Sequence, residues 1–246
     1  MSHIYLYGVK MDNVGLDEAV ALALTERDAP CWVVTPNALM LDACRRDEEK
    51  AELLNRATLS LADGAGTLLA ARRQGTPLRE RVAGIEFGEA IMERAAREGL
   101  RVFLLGGKDG VAQTAAQRLT ERYDGLRVCG CYGGYFDKEG EDDRRVCSMI
   151  RALRPDILFV CFGFPMQEEW IAKHLEDFNG IRVVAGLGGS LDVWSGKLRR
   201  APRMVSRLGL EWAWRMLREP KRLKNLPVIV RFLIQSNRTS NARPYK

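Results

Sequence analysis

The sequence predicts an α/β fold, a Rossmann-like, doubly wound, mostly parallel β-sheet with a basic helical appendage at its C-terminus. Short apolar runs alternate with stretches of helical periodicity along most of the chain, as right-handed βαβ units require. Residues 102–105 and 157–162 are apolar throughout, which is typical of parallel strands covered on both faces. A change in charge near residue 196 predicts the appendage.

The predicted strands and helices follow one another in regular order. Strands are expected at residues 4–9, 32–35, 58–62, 102–105, 127–131, 157–162 and 182–185. Helices are expected at residues 16–26, 37–44, 48–57, 66–73, 85–98, 111–123, 141–153 and 167–175. Together these elements predict a catalytic α/β domain over residues 1–195.

The net charge of +6 is unevenly distributed along the 246 residues. Residues 197–246 contain 14 Lys and Arg but only two acidic side chains, so the preceding part of the chain is acidic. Residues 196–246 are therefore predicted to form a basic amphipathic appendage, with a helix over residues 203–217. Charge alone leaves nucleic acid, an anionic membrane surface and an acidic substrate open as its target.

The N-terminus and the cysteines predict a cytoplasmic protein. Residues 1–13 lack the pattern of a secretory signal, and no apolar run approaches the roughly 18 residues of a membrane span. The six cysteines form no CxxC pair, and two histidines are too few for a zinc pattern. Free thiols in a reducing compartment are expected, with Cys31, Cys129 and Cys161 buried in strands.

Three predicted strands end in loops rich in glycine or proline. These loops lie at residues 104–110, 162–168 and 186–190. Ligands of open α/β sheets bind outside the carboxyl ends of the strands, so the loops are expected to share one crevice. Backbone N–H groups at Gly106, Gly107, Gly188 and Gly189 would suit a nucleotide diphosphate, and a role in tight turns alone is the alternative for these glycines.

Several other chemistries fit the sequence poorly. The loops match neither GxGxxG followed by a ribose-binding acid nor GxxxxGK[ST], which disfavours a nicotinamide-dependent oxidoreductase and a P-loop kinase. A basic-tailed nucleic-acid-binding protein is disfavoured because no binding motif accompanies the charge. No metal site is predicted, since the acidic pair Asp142-Asp143 lies in a charge-rich helical stretch and is expected to face solvent.

Two further strand ends carry polar side chains in apolar surroundings. Thr35 and Asn37 flank Pro36, and either side chain can cap the next helix or face the crevice. Asp63 follows the apolar run at residues 58–62. A carboxylate at the rim of the crevice is a candidate general base, and capping of the next helix is its alternative role.

Taken together, these motifs resemble those of the WecG/TagA/CpsF glycosyltransferases. The matching blocks are Thr35-Pro36-Asn37, Leu61-Ala62-Asp63-Gly64-Ala65-Gly66, Arg81-Val82-Ala83-Gly84, residues 102–107, Gly163-Phe164-Pro165-Met166-Gln167-Glu168, residues 186–192, residues 196–202 and Leu208-Gly209-Leu210-Glu211-Trp212. They occur in the family's order over nearly the whole chain. Any one block would be weak support, whereas the ordered set is highly specific.

The resemblance implies transfer of a sugar from a UDP-sugar to an undecaprenyl-diphosphate-linked acceptor at the cytoplasmic face of the membrane. N-acetylmannosamine transferred to lipid-linked N-acetylglucosamine, as in wall teichoic acid synthesis, is the best match. N-acetylmannosaminuronic acid and glucose are the alternative sugars. The resemblance also implies that no metal or other cofactor is needed, which agrees with the lack of an Asp-x-Asp motif.

The site residues are carried over by motif. Asp63 matches the catalytic base, and Thr35 matches the acceptor-side polar residue beside it. Asn37, Arg81 and Gln167 match other residues of the substrate pocket.

The appendage is implied to have two roles. Arg215 and Arg222 match arginines that close over the site and hold the diphosphate, and Met166 stands where many members have Lys. The basic residues and the Trp212/Trp214 pair also suit peripheral binding to an anionic membrane surface. Self-association stays open, because contact with a second copy can also mask a lid of this kind.

Overall fold

A computed structural model describes residues 2–202, 205, 213–214, 223 and 226–235 of the chain. The strands in this part are β1 (His3–Leu6), β2 (Val9–Asp12), β3 (Cys31–Val34), β4 (Leu59–Ser60), β5 (Arg101–Gly106), β6 (Arg127–Tyr132), β7 (Ile157–Cys161) and β8 (Val183–Gly186). The helices are α1 (Leu16–Leu24), α2 (Ala38–Cys44), α3 (Glu48–Asn55), α4 (Ala65–Arg73), α5 (Gly84–Glu98), α6 (Val111–Arg122), α7 (Glu141–Leu153), α8 (Met166–His174), α9 (Ser190–Trp194) and α10 (Leu226–Gln235), with a 3-10 helix at Leu175–Phe178.

Six strands form one parallel sheet in the order β4-β3-β8-β7-β5-β6. Helices α1, α5, α6 and α9 pack on one face, and α2, α3, α4, α7, α8 and α10 pack on the other. This arrangement confirms the doubly wound α/β fold. Because all six strands run the same way, their carboxyl ends meet along one side of the sheet, which we call the carboxyl edge.

Strand β7 shows why the central strands are apolar throughout. All its residues are buried. Ile157, Phe159 and Cys161 contribute to the core on one face, whereas Leu158 and Val160 contribute to the core on the other. Successive side chains of a strand point to opposite faces, so a strand covered on both sides needs an apolar residue at every position.

The eight helices predicted between residues 16 and 175 are present, with bounds within two residues of those expected, but the first predicted strand is wrong. Residues 4–9 contain a turn at Tyr7 and Gly8, which have φ angles of +51° and +82°. Positive φ at both turn residues is typical of a tight hairpin turn. Strands β1 and β2 consequently pair antiparallel in a separate two-stranded sheet.

Helix α10 attaches the C-terminal region to the α/β body. Ile229 and Phe232 are buried, and the ring of Phe232 lies 5.2 Å from that of Tyr7. On the same helix, Arg231 Nη2 lies 2.9 Å from Oδ2 of the fully buried Asp42 in α2. The predicted helix at residues 203–217 lies almost entirely outside the described residues, and the boundary at residue 196 stays a prediction.

None of the helices in the described ranges is both long enough and apolar enough to cross a bilayer. All six cysteines are free thiols. Cys31 and Cys161 are buried as expected, and burial raises the pKa of Cys161 to about 12, whereas Cys129 is half-buried.

Candidate active site

Backbone hydrogen bonds bring three predicted site residues to one part of the carboxyl edge. The N–H of Asp63 donates to the carbonyl oxygen of Pro36 at 3.1 Å, which aligns the segment after β4 with the segment after β3. The N–H of Val82 donates to the carbonyl oxygen of Ala62 at 2.9 Å. The main-chain segments that contain Thr35, Asp63 and Arg81 therefore lie side by side at this edge.

The buried side chain of Thr35 faces the start of α5. A Cβ placed on Gly84 would come 2.9 Å from Thr35 Oγ1, so only glycine lets the helix start this close to the hydroxyl group. Asn37 has a different local role, because its Oδ1 accepts from the N–H groups of Leu39 at 3.0 Å and Met40 at 3.3 Å. Asn37 is thus the N-cap of α2, and its contact with substrate stays a prediction.

Asp63 is half-buried at the turn between β4 and α4. The N-cap position of α4 is occupied by Gly64, which has a φ of +85°. Thr67 Oγ1 donates to the carbonyl oxygen of Asp63 at 2.8 Å and so fixes the main chain of the turn. Capping of α4 was the alternative role for Asp63, and the N-cap position of this helix is Gly64 instead.

Arg81 is held by an acidic residue in the first turn of α5. Its Nη2 lies 2.9 Å from both carboxylate oxygens of Glu86. Arg200 also contacts Glu86, and it reaches Glu89 at 2.9 Å. Glu89 in turn pairs with Arg122 of α6 at 3.0 Å. This chain of ion pairs connects the carboxyl edge with the first residues after position 196.

A cavity of about 1040 Å³ opens beside these ion pairs, between α5, α6, α9 and the segment that follows α9. Its charged lining residues are Arg81, Arg118, Arg122, Arg199, Arg200, Glu86 and Glu89. Five guanidinium groups against two carboxylates leave the cavity with an excess of positive charge. Such a surface favours an anionic ligand.

Gln167 connects two of the predicted loops. Its Oε1 accepts from the N–H of Gly163 at 3.2 Å and from the N–H of Gly188 at 2.9 Å. Gln167 is buried, and the two glycines follow the neighbouring strands β7 and β8. The N–H of Gly188, which the sequence placed near an anion, is thus already hydrogen-bonded within the protein. Gly189 directly precedes the five-residue helix α9.

Gly106 is the last residue of β5 and Gly107 follows it at the carboxyl edge, with φ angles of +139° and +71°. Gly107 N–H donates to the carbonyl oxygen of Cys161 at 3.4 Å and its carbonyl oxygen accepts from Gly134 at 2.8 Å. A Cβ on Gly106 would collide with the carbonyl oxygen of Cys161 and lie 2.7 Å from the carbonyl carbon. The loop before α6 therefore requires glycine for close packing against β7.

We expect Gly106→Ala to lower the free energy of unfolding by more than about 2 kcal/mol, since backbone strain and overpacking act together. Gly180→Ala is the matched control, because Gly180 also has a positive φ of +93°, but none of the other described residues comes within 4 Å of the added Cβ. Urea unfolding of both variants measures the difference. Equal losses for the two variants would contradict the close packing.

Glu168, next to Gln167 in α8, is a buried carboxylate that the sequence analysis did not single out. It has no exposed surface, and its Oε1 accepts from Gln167 Nε2 at 2.7 Å. Burial raises its pKa from 4.5 to about 7, although the hydrogen bond from Gln167 partly opposes this shift. Helical periodicity indicates that Glu168 is buried, because it lies three residues before the buried Ile171 and so on the same face of α8.

We expect Glu168→Gln to change stability with pH in one direction. Between pH 4.5 and 7 the unfolded carboxyl group loses its proton while the folded one keeps it, so the folded wild type loses stability as the pH rises. The variant lacks this loss. Its stability relative to wild type should therefore improve from pH 5 to pH 8 by up to about 3 kcal/mol.

Urea unfolding at the two pH values measures this effect. Any change in the free energy of unfolding that the amide causes at both pH values cancels when the two differences between variant and wild type are compared. Glu169→Gln, at the exposed neighbouring position, is the control and should show no such change. A difference between Glu168→Gln and wild type that is the same at both pH values would contradict the shifted pKa.

The expectation that Asp143 faces solvent is wrong. Its Oδ1 accepts from Trp170 Nε1 at 2.7 Å, and its Oδ2 lies 2.9 Å from Lys173 Nζ and 3.0 Å from His174 Nε2. Burial by itself would raise the pKa of Asp143, but the hydrogen bonds from Lys173 and Trp170 lower the pKa below its usual range. These contacts join α7 to α8.

Asp143, His174 and Cys147 offer ligand atoms within 4.8 Å of one another, a metal-sized spacing. Both oxygens of Asp143 are already engaged by protein donors, and burial raises the pKa of the Cys147 thiol to about 12. These three side chains are thus part of a structural cluster of ion pairs and hydrogen bonds. That the reaction needs no metal stays a prediction.

The appendage residues Arg215 and Arg222 lie outside the described residues. Met166, at the start of α8, is exposed at the carboxyl edge.

Comparisons with known proteins show which family the chain belongs to. The family model described as "Glycosyl transferase WecG/TagA/CpsF family" matches residues 4–243. Similar curated proteins include the N-acetylglucosaminyldiphosphoundecaprenol N-acetyl-beta-D-mannosaminyltransferases of Staphylococcus aureus strains MW2 and MRSA252. Each is 33% identical over 240 residues, which cover 95% of this chain and 92% of the relative. The chain therefore belongs to the WecG/TagA/CpsF family of glycosyltransferases.

Proposed function

We propose that the chain transfers a sugar from a UDP-sugar to undecaprenyl-diphosphate-linked N-acetylglucosamine, with N-acetylmannosamine as the preferred sugar. The observation that carries this proposal is the position of Asp63, a half-buried carboxylate at the carboxyl edge beside the segment of Thr35. Asp63 accepts the proton of the acceptor hydroxyl group as the oxygen attacks the anomeric carbon. The reaction is a single displacement that inverts the anomeric centre.

The donor diphosphate is proposed to bind at the start of α6. The loop at residues 106–110 precedes a helix of 12 residues, whose N-terminus favours negative charge. The loop after β8 is less suitable, because the N–H of Gly188 is bonded to Gln167. Gln167 thus supports the donor site by joining two loops, and Asn37 fixes the start of α2 beside the site.

Negative charge develops on the UDP phosphates as the sugar leaves. Fixed cationic groups stabilise such charge without reorganisation during the reaction. Arg81 lines the cationic cavity, and Arg200 is held beside it through Glu86. We propose that these arginines, completed by Arg215 and Arg222 of the appendage, replace a metal ion.

The described part of the appendage supports binding to a membrane surface. Leu226, Val230 and Ile234 lie on α10 at intervals of four residues and expose 38%, 44% and 56% of their surface. We call these three side chains the apolar stripe. The stripe lies on a helix whose Ile229 and Phe232 face the protein core. An apolar face flanked by a basic segment is typical of helices that lie in the membrane interface.

Product analysis tests the proposed function. Purified protein is incubated with a short-chain lipid-diphosphate-N-acetylglucosamine acceptor and, separately, with the UDP derivatives of N-acetylmannosamine, N-acetylmannosaminuronic acid and glucose. We expect transfer of N-acetylmannosamine with inversion, at the same rate in the presence of a metal chelator. Absence of transfer from all three donors would contradict the function, and loss of transfer with the chelator would contradict the metal-free mechanism.

A further inference from the structure

Glu168 has one buried carboxylate oxygen for which the described part of the chain offers no partner. Its Oε1 accepts from Gln167 Nε2 at 2.7 Å, whereas Oε2 is buried and makes no hydrogen bond with any of the described residues. A buried acceptor without a partner destabilises the fold, and such groups in native proteins call for an explanation. Ionisable side chains that are buried at a cost to folding cluster at functional sites.

The contact between Glu168 and Gln167 determines which way the Gln167 amide points. With Nε2 directed at Glu168, the amide oxygen faces the N–H groups of Gly163 and Gly188. Rotation of the amide by half a turn would direct its NH₂ group at these two N–H donors and its oxygen at a carboxylate. Both contacts of the rotated arrangement are repulsive when Glu168 is ionised, so the ionised side chain selects the observed orientation.

The space around this pair is filled on the side of β8. A Cβ on Gly186 would lie 2.7 Å from Gln167 Nε2 and 3.3 Å from Glu168 Oε1. The pair is therefore packed directly against the last residue of β8, at the carboxyl edge. A change in the amide orientation would act on the loops after β7 and β8 rather than on distant parts of the fold.

We propose that Glu168 is a positioning residue for sugar transfer: its carboxylate fixes the Gln167 amide in the orientation that joins the Gly163 and Gly188 loops at the donor side of the crevice. The inference rests on the proposed function for its consequence in catalysis. Without the acceptor oxygen, the amide no longer holds the two loops at a fixed separation. Because substrate binding needs preorganised loops, the first effect is on donor binding.

Three variants test the proposal through the donor KM and kcat. Glu168→Met removes the acceptor oxygen and should raise the donor KM about tenfold or more, with a smaller effect on kcat. Glu168→Gln keeps an acceptor oxygen and should restore most of the loss. Glu169→Met alters the exposed neighbour and should leave both parameters unchanged. A purely structural role would lower the melting temperature of Glu168→Met without changing the donor KM, and this result would overturn the proposal.

An exchange of the two residues covers the case in which Glu168→Met does not fold. Gln167→Glu alone places two carboxylates side by side and should weaken donor binding. Gln167→Glu combined with Glu168→Gln recreates the pattern, because the new amide donates to the new carboxylate and the latter accepts from both glycines. Recovery of the donor KM in the double variant supports the proposal, and a double variant as weak as Gln167→Glu overturns it.

An independent readout separates this inference from the proposed function. The side-chain amide resonances of Gln167 should be protected from solvent exchange in wild type and in Glu168→Gln, and should lose this protection in Glu168→Met. Unchanged protection in Glu168→Met would overturn the positioning role, whichever sugar is transferred. If the wild type transfers no sugar from any donor, the proposed function has failed, and the amide resonances still decide the contact between Glu168 and Gln167.

Discussion

Asp63→Asn is expected to lower kcat by about 10²–10⁴-fold, the usual contribution of a general base. The amide has nearly the size and shape of the carboxylate but cannot accept the proton of the acceptor hydroxyl group. The turn itself should survive, because its main chain is fixed by Thr67 and by the carbonyl group of Pro36. Affinity for UDP should change little, since UDP lacks the acceptor hydroxyl group whose proton Asp63 accepts.

Initial rates and UDP titration of the same preparation measure these two effects separately. Asp137→Asn is the control, because Asp137 is an exposed acid in the loop that follows β6. It should retain full activity. Near-normal kcat in Asp63→Asn would remove Asp63 from the proposed mechanism, whereas loss of UDP binding would show that its role lies in the donor site.

The sheet could be predicted because its central strands β3, β8 and β7 are buried on both faces and are therefore apolar throughout. The first hairpin could not be separated from a single strand, since its two strands are joined by only Tyr7 and Gly8. Without a longer polar loop, the apolar pattern continues through the turn. Helix α9 was missed for a similar reason, because five residues are too few to show helical periodicity.

The candidate site could be predicted less completely. The strand ends were readable because parallel topology gathers them at one edge, and backbone contacts do bring Thr35, Asp63 and Arg81 together there. Hydrogen-bond partners were not readable, because they depend on which side chains from distant segments fill the same space. The Gln167 amide is an example, because it hydrogen-bonds to two loops and to Glu168 within the protein.

Charge predictions had the same limit. The acidic run that contains Asp143 looked solvent-exposed from its neighbours in sequence. Its actual partners are Trp170, Lys173 and His174, which α8 supplies from about 30 positions further along the chain. A local pattern of charges indicates exposure only where no other element provides donors.

Replacing the apolar stripe by serine, in the variant Leu226→Ser/Val230→Ser/Ile234→Ser, is expected to release the protein from anionic vesicles. Each side chain transfers apolar surface from water to the membrane interface, which contributes about 1 kcal/mol for partly exposed residues. Three such losses lower the partition coefficient by about two orders of magnitude. The basic charge is unchanged, so the remaining attraction is electrostatic and weakens with salt.

The protein should stay folded, because Ile229 and Phe232 still bury α10 against the body and Arg231 still pairs with Asp42. Cosedimentation with vesicles that contain about one third anionic lipid measures binding, since anionic lipid supplies the attraction for the basic residues. Tyr135→Ser is the control, because Tyr135 is 75% exposed and follows β6, on the body rather than on α10. It should bind vesicles as the wild type does.

Activity distinguishes anchoring from a role in catalysis. The triple serine variant should lose turnover with a vesicle-embedded acceptor but keep turnover with a water-soluble short-chain acceptor, since no stripe residue lines the cationic cavity. Equal losses with both acceptors would place α10 in the reaction itself. Unchanged vesicle binding would instead assign membrane attachment to other parts of the chain, because the stripe then contributes no measurable partition free energy.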